Sequence, residues 1–233
     1  MKVAIIPARG GSKRIPRKNI RPFAAIPMIA HAIRAAQSSG LFAHILVSTD
    51  DDEIAAVAAS WGAEVPFRRP AELANDMAGT TEVITHATQW CLDAGWPVTA
   101  VCCIYATAPL LQAKYLKEAL EIMEAQSKSY CFPVTRFEAP IQRALKLTPE
   151  GVEMFEPAHF ETRSQDLAPA YHDAGQFYWG TTQAWLENRR LFSHDAAALV
   201  LPRHLVQDID TLEDWDQAER LYALLHPGEK TDG

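Results

Sequence analysis

The chain predicts an α/β fold, a mostly parallel sheet covered on both faces, and three observations predict it. Short apolar runs alternate with amphipathic helical stretches through the first half of the sequence. Those runs, such as AVCCI, are continuously apolar instead of alternating with polar residues. Continuous runs of this kind belong to strands buried on both faces, as parallel strands are. Each run is followed by turn or capping residues and then by a helix, and the β-α-β order places crossover helices on both sides of a sheet, giving three layers.

The elements follow in order. Residues 3–6 form the first strand, stopped by Pro7, and residues 28–39 a helix ended by Gly40. The second strand is 45–49, after which Asp50 caps a helix over 52–61 that Gly62 stops. Residues 64–67 are a short extended piece and 81–94 a helix with Gly95 beyond it. A strongly apolar strand covers 99–105, a helix 113–126 and a further strand 130–135. Between 137 and 171 the pattern breaks: Pro140, Pro149, Pro157 and Pro169 argue against long helices, and 144–147 with 152–155 make a hairpin across 148–151. This excursion covers a substrate or meets a second subunit; a plain surface loop is the alternative. The sheet resumes at 176–179, followed by a short helix at 182–188, an extended piece at 198–202 and a strand at 206–210. An amphipathic helix over 212–225, capped by Thr211, closes the fold. Residues 1–226 read as one domain with an arm at about 137–175, and 227–233 as a frayed tail.

A length of 233 residues suits one α/β domain or one domain with an appendage. A formal net charge of −7 argues against a general nucleic-acid binder. No apolar run approaches membrane-spanning length, and the start MKVAIIPARGG has too short an apolar core for a signal peptide. Cys91, Cys102, Cys103 and Cys131 form no C-x-x-C pair and read as reduced core residues, which fits the cytoplasm.

Against that acidic background the stretch AIIPARGGSKRIPRKNI stands out. Arg9, Lys13, Arg14, Arg17, Lys18 and Arg21 crowd a loop that leaves the first strand through Ala8, Gly10, Gly11 and Ser12. Glycines let the backbone turn sharply and bring its amides close to a ligand, and the natural partner of so much positive charge is a polyphosphate. The loop fits neither G-x-x-x-x-G-K-[ST] nor G-x-G-x-x-G, so a phosphate loop of another type is required. Late in the chain, QDIDT puts Asp208 and Asp210 on one face of an extended segment, with Ile209 on the other. Two such carboxylates suit magnesium, which takes one or two carboxylates plus phosphate oxygens and water; the simpler role is capping of the closing helix. Carboxylates for magnesium and a basic glycine loop together make a site for phosphoryl or nucleotidyl transfer. Other candidates end strands at the same sheet edge: Asp50 to Asp52, Arg68-Arg69, and Tyr105 with the turn after it. Arg163 and the segment from Tyr171 to Gln176 flank the return to the sheet, where an arginine suits a substrate carboxylate. There is no G-x-S-x-G elbow.

IIPARGGSKRIPRKNI, RPAELANDMAGTTEVITHA, IYATAPLL, FETRSQDL and VQDIDTLEDW together resemble the cytidylyltransferases that activate acidic nine-carbon sugars, the CMP-sialic acid synthetase family. The likeness covers essentially residues 1–226 and implies a nucleotidyltransferase domain with the Rossmann-like sheet of nucleotide-diphospho-sugar transferases. It implies that Arg9, Ser12, Lys13, Lys18 and Asn19 hold the CTP triphosphate and ribose, that Arg69 and Thr80 lie near the cytidine, and that Asp208 and Asp210 bind magnesium. Tyr105, Gln142, Arg143, Arg163, His172 and Gln176 would approach the sugar, and the arm would meet a second subunit in a homodimer. Two departures stand out: Ala25-Ile26 replaces a common Gly-Lys, and Tyr105 stands where many sialic acid enzymes have glutamine. The second favours pseudaminic acid as acceptor. Another acidic sugar (sialic acid, legionaminic acid or Kdo) and a non-catalytic nucleotide-binding module are the alternatives.

Overall fold

The computed structural model describes residues 1–75 and 77–227. The expected tail therefore falls almost wholly outside the described residues. The first strand, β1 (Lys2–Pro7), is buried along its middle and is followed by two short strands, β2 (Pro22–Phe23) and β3 (Ile26–Pro27), that pair as a hairpin. Helix α1 (Met28–Ser39) ends at Gly40 in the left-handed conformation, and β4 (His44–Ser48) and α2 (Asp52–Ser60) come next. The cap of α2 is Asp51, not Asp50: its carboxylate accepts from the Ile54 amide at 2.9 Å. Asp50 is engaged elsewhere, as described below. The extended piece at 64–67 borders the sheet edge through parallel bridges from Glu64 to Leu46 and Arg68 to Thr49. Helix α3 (Thr80–Asp93), β5 (Ala100–Ile104), α4 (Ala113–Ala125) and β6 (Tyr130–Arg136) complete the first half.

The excursion carries the expected hairpin, β7 (Leu145–Thr148) with β8 (Gly151–Met154). The chain returns through β9 (Tyr171–Asp173) and β10 (Phe177–Thr181), both antiparallel to β6. Helix α5 (Thr182–Leu186), β11 (Ala196–Val200) and α6 (Leu212–Leu225) follow. The sheet order is β11-β6-β10-β5-β1-β4. β1 runs parallel to β4 and β5, and β6 parallel to β11, so the sheet is mostly parallel with one antiparallel strand inserted at its centre. Residues 206–210 are not a strand. They are extended chain outside the sheet, yet the alternation survives: Ile209 is buried, Asp208 exposed and Asp210 half-buried.

Each sheet face has its own core. Ile6, Ile33, Val47, Cys102, Ile104 and Trp179 pack on one side, and Val3, Ile5, Ile84, Cys103, Tyr130 and Trp185 on the other. Burying indoles is favourable only where their N–H groups find acceptors. Trp179 donates to the Leu116 carbonyl at 2.8 Å and Trp185 to that of Val101 at 3.1 Å. Gly180 is what admits Trp185, because a Cβ there would collide with the indole nitrogen. The four cysteines are free and buried, and burial pushes the Cys102 and Cys103 thiols far up. A third cluster lies beyond the sheet: Ile15, Phe23, Met28, Leu110, Ile209, Trp215, Ala218 and Tyr222. It joins the basic loop, the β2–β3 hairpin, the acidic segment and α6, and it decides where the charged groups meet.

Candidate active site

The basic loop is shaped from below by the two aspartates at the end of β4. The Gly10 amide donates to Asp50 Oδ1 at 3.0 Å. A Cβ on Gly10 would come within 2.8 Å of Asp51 Oδ2, so the loop can lie this close only with glycine there. Arg17, in the left-handed conformation at φ 57°, grips Asp51 with both terminal nitrogens at 2.5 and 3.0 Å and also reaches Glu53. That grip draws the Asp51 carboxyl down to about 2. Asn19 is buried and donates to the Arg9 carbonyl at 2.9 Å. Ala8 is buried beneath the turn, which Gly10, Gly11 and Ser12 form.

The acidic segment arrives from the other end of the chain. Ile15 and Ile209 are both fully buried in the third cluster, and the charged residues beside them meet in consequence. Lys18 Nζ donates to the Ile209 carbonyl at 2.6 Å and lies 3.8 Å from Asp210 Oδ1. Arg14 Nη1 is 2.7 Å from Asp210 Oδ2. Burial lowers the Lys18 ammonium despite the upward pull of Asp210 and Asp208.

Above the loop is a pocket of about 320 Å³. Arg9, Ser12, Lys13, Lys18 and Asn19 line it on one side, and Arg69, Thr80 and Tyr105 on the other. Arg69 is buried, with its guanidinium on the Ser48 hydroxyl at 3.1 Å and on the Ser48 carbonyl; burial pulls it down to about 10, so it remains a cation at neutral pH. Thr80 Oγ1 lies 3.2 Å from the Tyr105 hydroxyl, whose acidity burial weakens.

The remaining candidates lie elsewhere. Gln142, Arg143 and Arg163 are exposed or half-buried on the arm, where Gln142 donates to the Ala168 carbonyl at 3.1 Å. His172 packs edge-on against Phe137 and lines a second pocket with Arg203, His204 and Gln207. Gln176 is buried and does not reach the first pocket's wall; its amide is spent on the Leu205 carbonyl at 2.5 Å, which ties β10 to the chain leading into the acidic segment. Thr107, in the turn after Tyr105, also lines the pocket, as do Asn75 and Ala78, which carry no individual expectation from the sequence. Asn75 accepts from Arg9 through its carbonyl at 3.2 Å and caps the turn at Met77 and Ala78 through its side chain. Its signal is the Asn-Asp pair between the arginines and α3, a turn composition.

Whether this site suits a divalent ion is a question of donors. Among the described residues no three His, Cys, Asp or Glu side chains converge. Asp208 and Asp210 therefore offer hard carboxylate oxygens but an incomplete shell, which fits magnesium completed by phosphate oxygens and water and fits a self-sufficient zinc site poorly.

A doubly covered, mostly parallel sheet with a cation-lined pocket beyond its strand ends defines a nucleotide-handling enzyme, a nucleotidyltransferase. A family profile described as cytidylyltransferase matches residues 3–188, and the chain belongs to that family. It is 47% identical over 225 residues to the pseudaminic acid cytidylyltransferase of Campylobacter jejuni subsp. jejuni serotype O:23/36, covering 96% of this chain and 97% of that one. It is 34% identical to N-acylneuraminate cytidylyltransferase A of Danio rerio, covering 93% of this chain and 50% of that one. The fold matches that of CMP:2-keto-3-deoxy-manno-octonic acid synthetase complexed with CTP at a TM-score of 0.70 and 16% identity, covering 97% of this chain and 99% of that one.

Proposed function

We propose that the chain transfers CMP from CTP to the anomeric hydroxyl of a nonulosonic acid, pseudaminic acid, releasing pyrophosphate. The observation that carries this reading is the meeting of Arg14 and Lys18, residues of the basic loop that line the pocket, with Asp210 of the acidic segment. The 47% identical relative supports the choice of sugar. In the reaction the hydroxyl loses its proton, its oxygen bonds to the α-phosphorus, and the bond from that phosphorus to the pyrophosphate oxygen breaks. Arg9, Ser12, Lys13, Lys18 and Asn19 hold the triphosphate and ribose, with Lys13 and Lys18 stabilising the charge that gathers on pyrophosphate. Arg69 and Thr80 face the cytidine. Magnesium on Asp208 and Asp210, when bound, neutralises phosphate oxygens and polarises the α-phosphate.

Tyr105 stands where the pocket wall turns toward the sugar, and His172 and the arm residues Gln142, Arg143 and Arg163 approach it from the side of the excursion. Gln176 acts by fixing the chain before the acidic segment. Two copies pair through the arm, whose Leu147, Phe155 and Phe160 are exposed at 85%, 64% and 66%. No helix among the described residues is long and apolar enough to cross a membrane; with four free cysteines, the protein works in the cytoplasm.

The test is pyrophosphate release with pseudaminic, legionaminic and sialic acids and Kdo against all four nucleoside triphosphates. CTP with pseudaminic acid should be fastest, and Asp208→Ala should slow it by about 10²-fold or more, the scale of losing one charge-stabilising group. A faster reaction with another acid replaces the sugar. Near-normal turnover by Asp208→Ala removes the carboxylates from the mechanism.

A further inference from the structure

The two oxygens of Asp210 each face a cation, and the two cations are held very differently. Lys18 is 20% exposed along its side chain and is pinned to the Ile209 carbonyl at 2.6 Å. Arg14 is 68% exposed and lies 2.7 Å from Asp210 Oδ2. An exposed ion pair of this sort contributes about 0–1 kcal/mol, so Arg14 can leave at little cost. Lys18 cannot leave without stranding its ammonium among buried groups. Of the neighbouring acids, Asp214 has one oxygen already engaged: Oδ2 accepts from the amides of Asp210 and Thr211 at 3.1 and 2.7 Å and from the Thr211 hydroxyl.

An oxygen that accepts from a guanidinium is not open to a divalent ion, which needs it at about 2.0–2.1 Å and brings two further positive charges. Arg14 also lines the nucleotide pocket, within reach of an entering triphosphate. Phosphate oxygens match the planar fork of arginine at least as well as a carboxylate does.

We propose that Arg14 is a displaceable counter-cation: it occupies and orients Asp210 while the pocket is empty, and moves to the triphosphate when nucleotide arrives, freeing the carboxylate for the divalent ion. Metal alone then binds weakly, because it must evict Arg14 with nothing to receive it. Metal and nucleotide strengthen each other's binding through this one side chain, reciprocally as linkage requires. The inference rests on the magnesium assignment to Asp208 and Asp210.

Manganese titrations of the nucleotide-free protein, read by the electron paramagnetic resonance of free Mn²⁺, test it without any turnover. Arg14→Ala should bind Mn²⁺ more tightly than the wild type by about 2- to 5-fold, the range an exposed pair can withhold. Arg14→Lys, which keeps the charge, should fall between them. Unchanged or weaker Mn²⁺ binding by Arg14→Ala overturns the proposal. Asp210→Asn separates the two readings: if it keeps wild-type Mn²⁺ affinity, the carboxylate does not hold metal and the magnesium assignment itself fails. If it loses affinity while Arg14→Ala gains none, only the role of Arg14 is lost.

Discussion

Two regions of this molecule place apolar residues in polar, proline-containing sequence, and they do opposite things with them. In the basic loop and the acidic segment, Ile15 and Ile209 are fully buried, at 1% and 0% exposure. In the arm, Leu147 and Phe160 stand 85% and 66% exposed. The difference teaches what each region lacks. Ile15 and Ile209 meet Phe23, Trp215 and Tyr222 in a cluster that the chain supplies itself. The β7–β8 hairpin has a ladder of its own but leaves Leu145, Leu147 and Val152 largely in water. Contiguous exposed apolar surface of this kind marks an interaction site. The basic loop and the acidic segment therefore meet within one chain, whereas the arm is the surface proposed above for pairing with a second.

The largest effect should come from the arm. If two copies pair through the arm as proposed, Leu147→Glu combined with Phe160→Glu should convert that homodimer into a monomer, seen as a halved mass by light scattering or sedimentation. The melting temperature of the monomeric body should barely change, since exposed positions away from special features alter stability by no more than about 0.5 kcal/mol. A dimer that persists in the double variant would place the interface elsewhere.

Next in size is the hinge of the closed region. Ile209→Ala should cost about 2–5 kcal/mol, the range for truncating a buried aliphatic side chain, whereas Leu147→Ala should cost almost nothing by the same urea titration. Ile209→Ala should also lower turnover under conditions where it remains folded, because its burial is what aims Asp208 and Asp210 to one side and carries Asp210 to Lys18. Equal stability losses at the two sites would mean that burial does not distinguish the regions.

Most of the sheet was legible because strands buried on both faces leave an unmistakable apolar run, and because Gly40 and Thr211 mark helix ends directly. What escaped was set by distant partners. Residues 206–210 have strand composition and strand alternation, but their burial comes from α6 and the basic loop, with no ladder beside them. Asp50, Asp51 and Asp52 are chemically equivalent at the end of β4; only the position of the Gly10 amide and of Arg17 separates the loop anchor from the helix cap. The basic loop announced its charge, and the pocket gathers it. That Arg17 is committed to Asp51 while Arg14 faces Asp210 depends on a left-handed residue and a buried isoleucine, neither of which charge counting can see. The resemblance implies Gln176 as a residue that approaches the sugar, but its side-chain hydrogen bond is set by tertiary structure. Its acceptor, the Leu205 carbonyl, comes from a segment 29 residues away.

The smallest effect probes the closed region at a strained two-residue turn. β2 and β3 pair Phe23 with Ile26 across only Ala24 and Ala25, which adopt φ 45° and 70°. A two-residue hairpin with both central residues left-handed is the turn that favours Asn-Gly, because an L side chain there presses on its own backbone. Phe23 is fully buried against Trp215 and Tyr222, so the cluster holds the alanines in this conformation. Ala25→Gly relieves the clash while enlarging the freedom of the unfolded chain, and the balance at a left-handed site should favour the variant by about 0.5–1 kcal/mol. For a chain of this size that is a rise of about 1–4 °C in melting temperature. Ala25→Pro, which demands a negative φ, should lower it by more than glycine raises it. A neutral or destabilising glycine would show that the turn relaxes in solution and that Phe23, and with it the closure over Ile15 and Ile209, is held less firmly than its burial indicates.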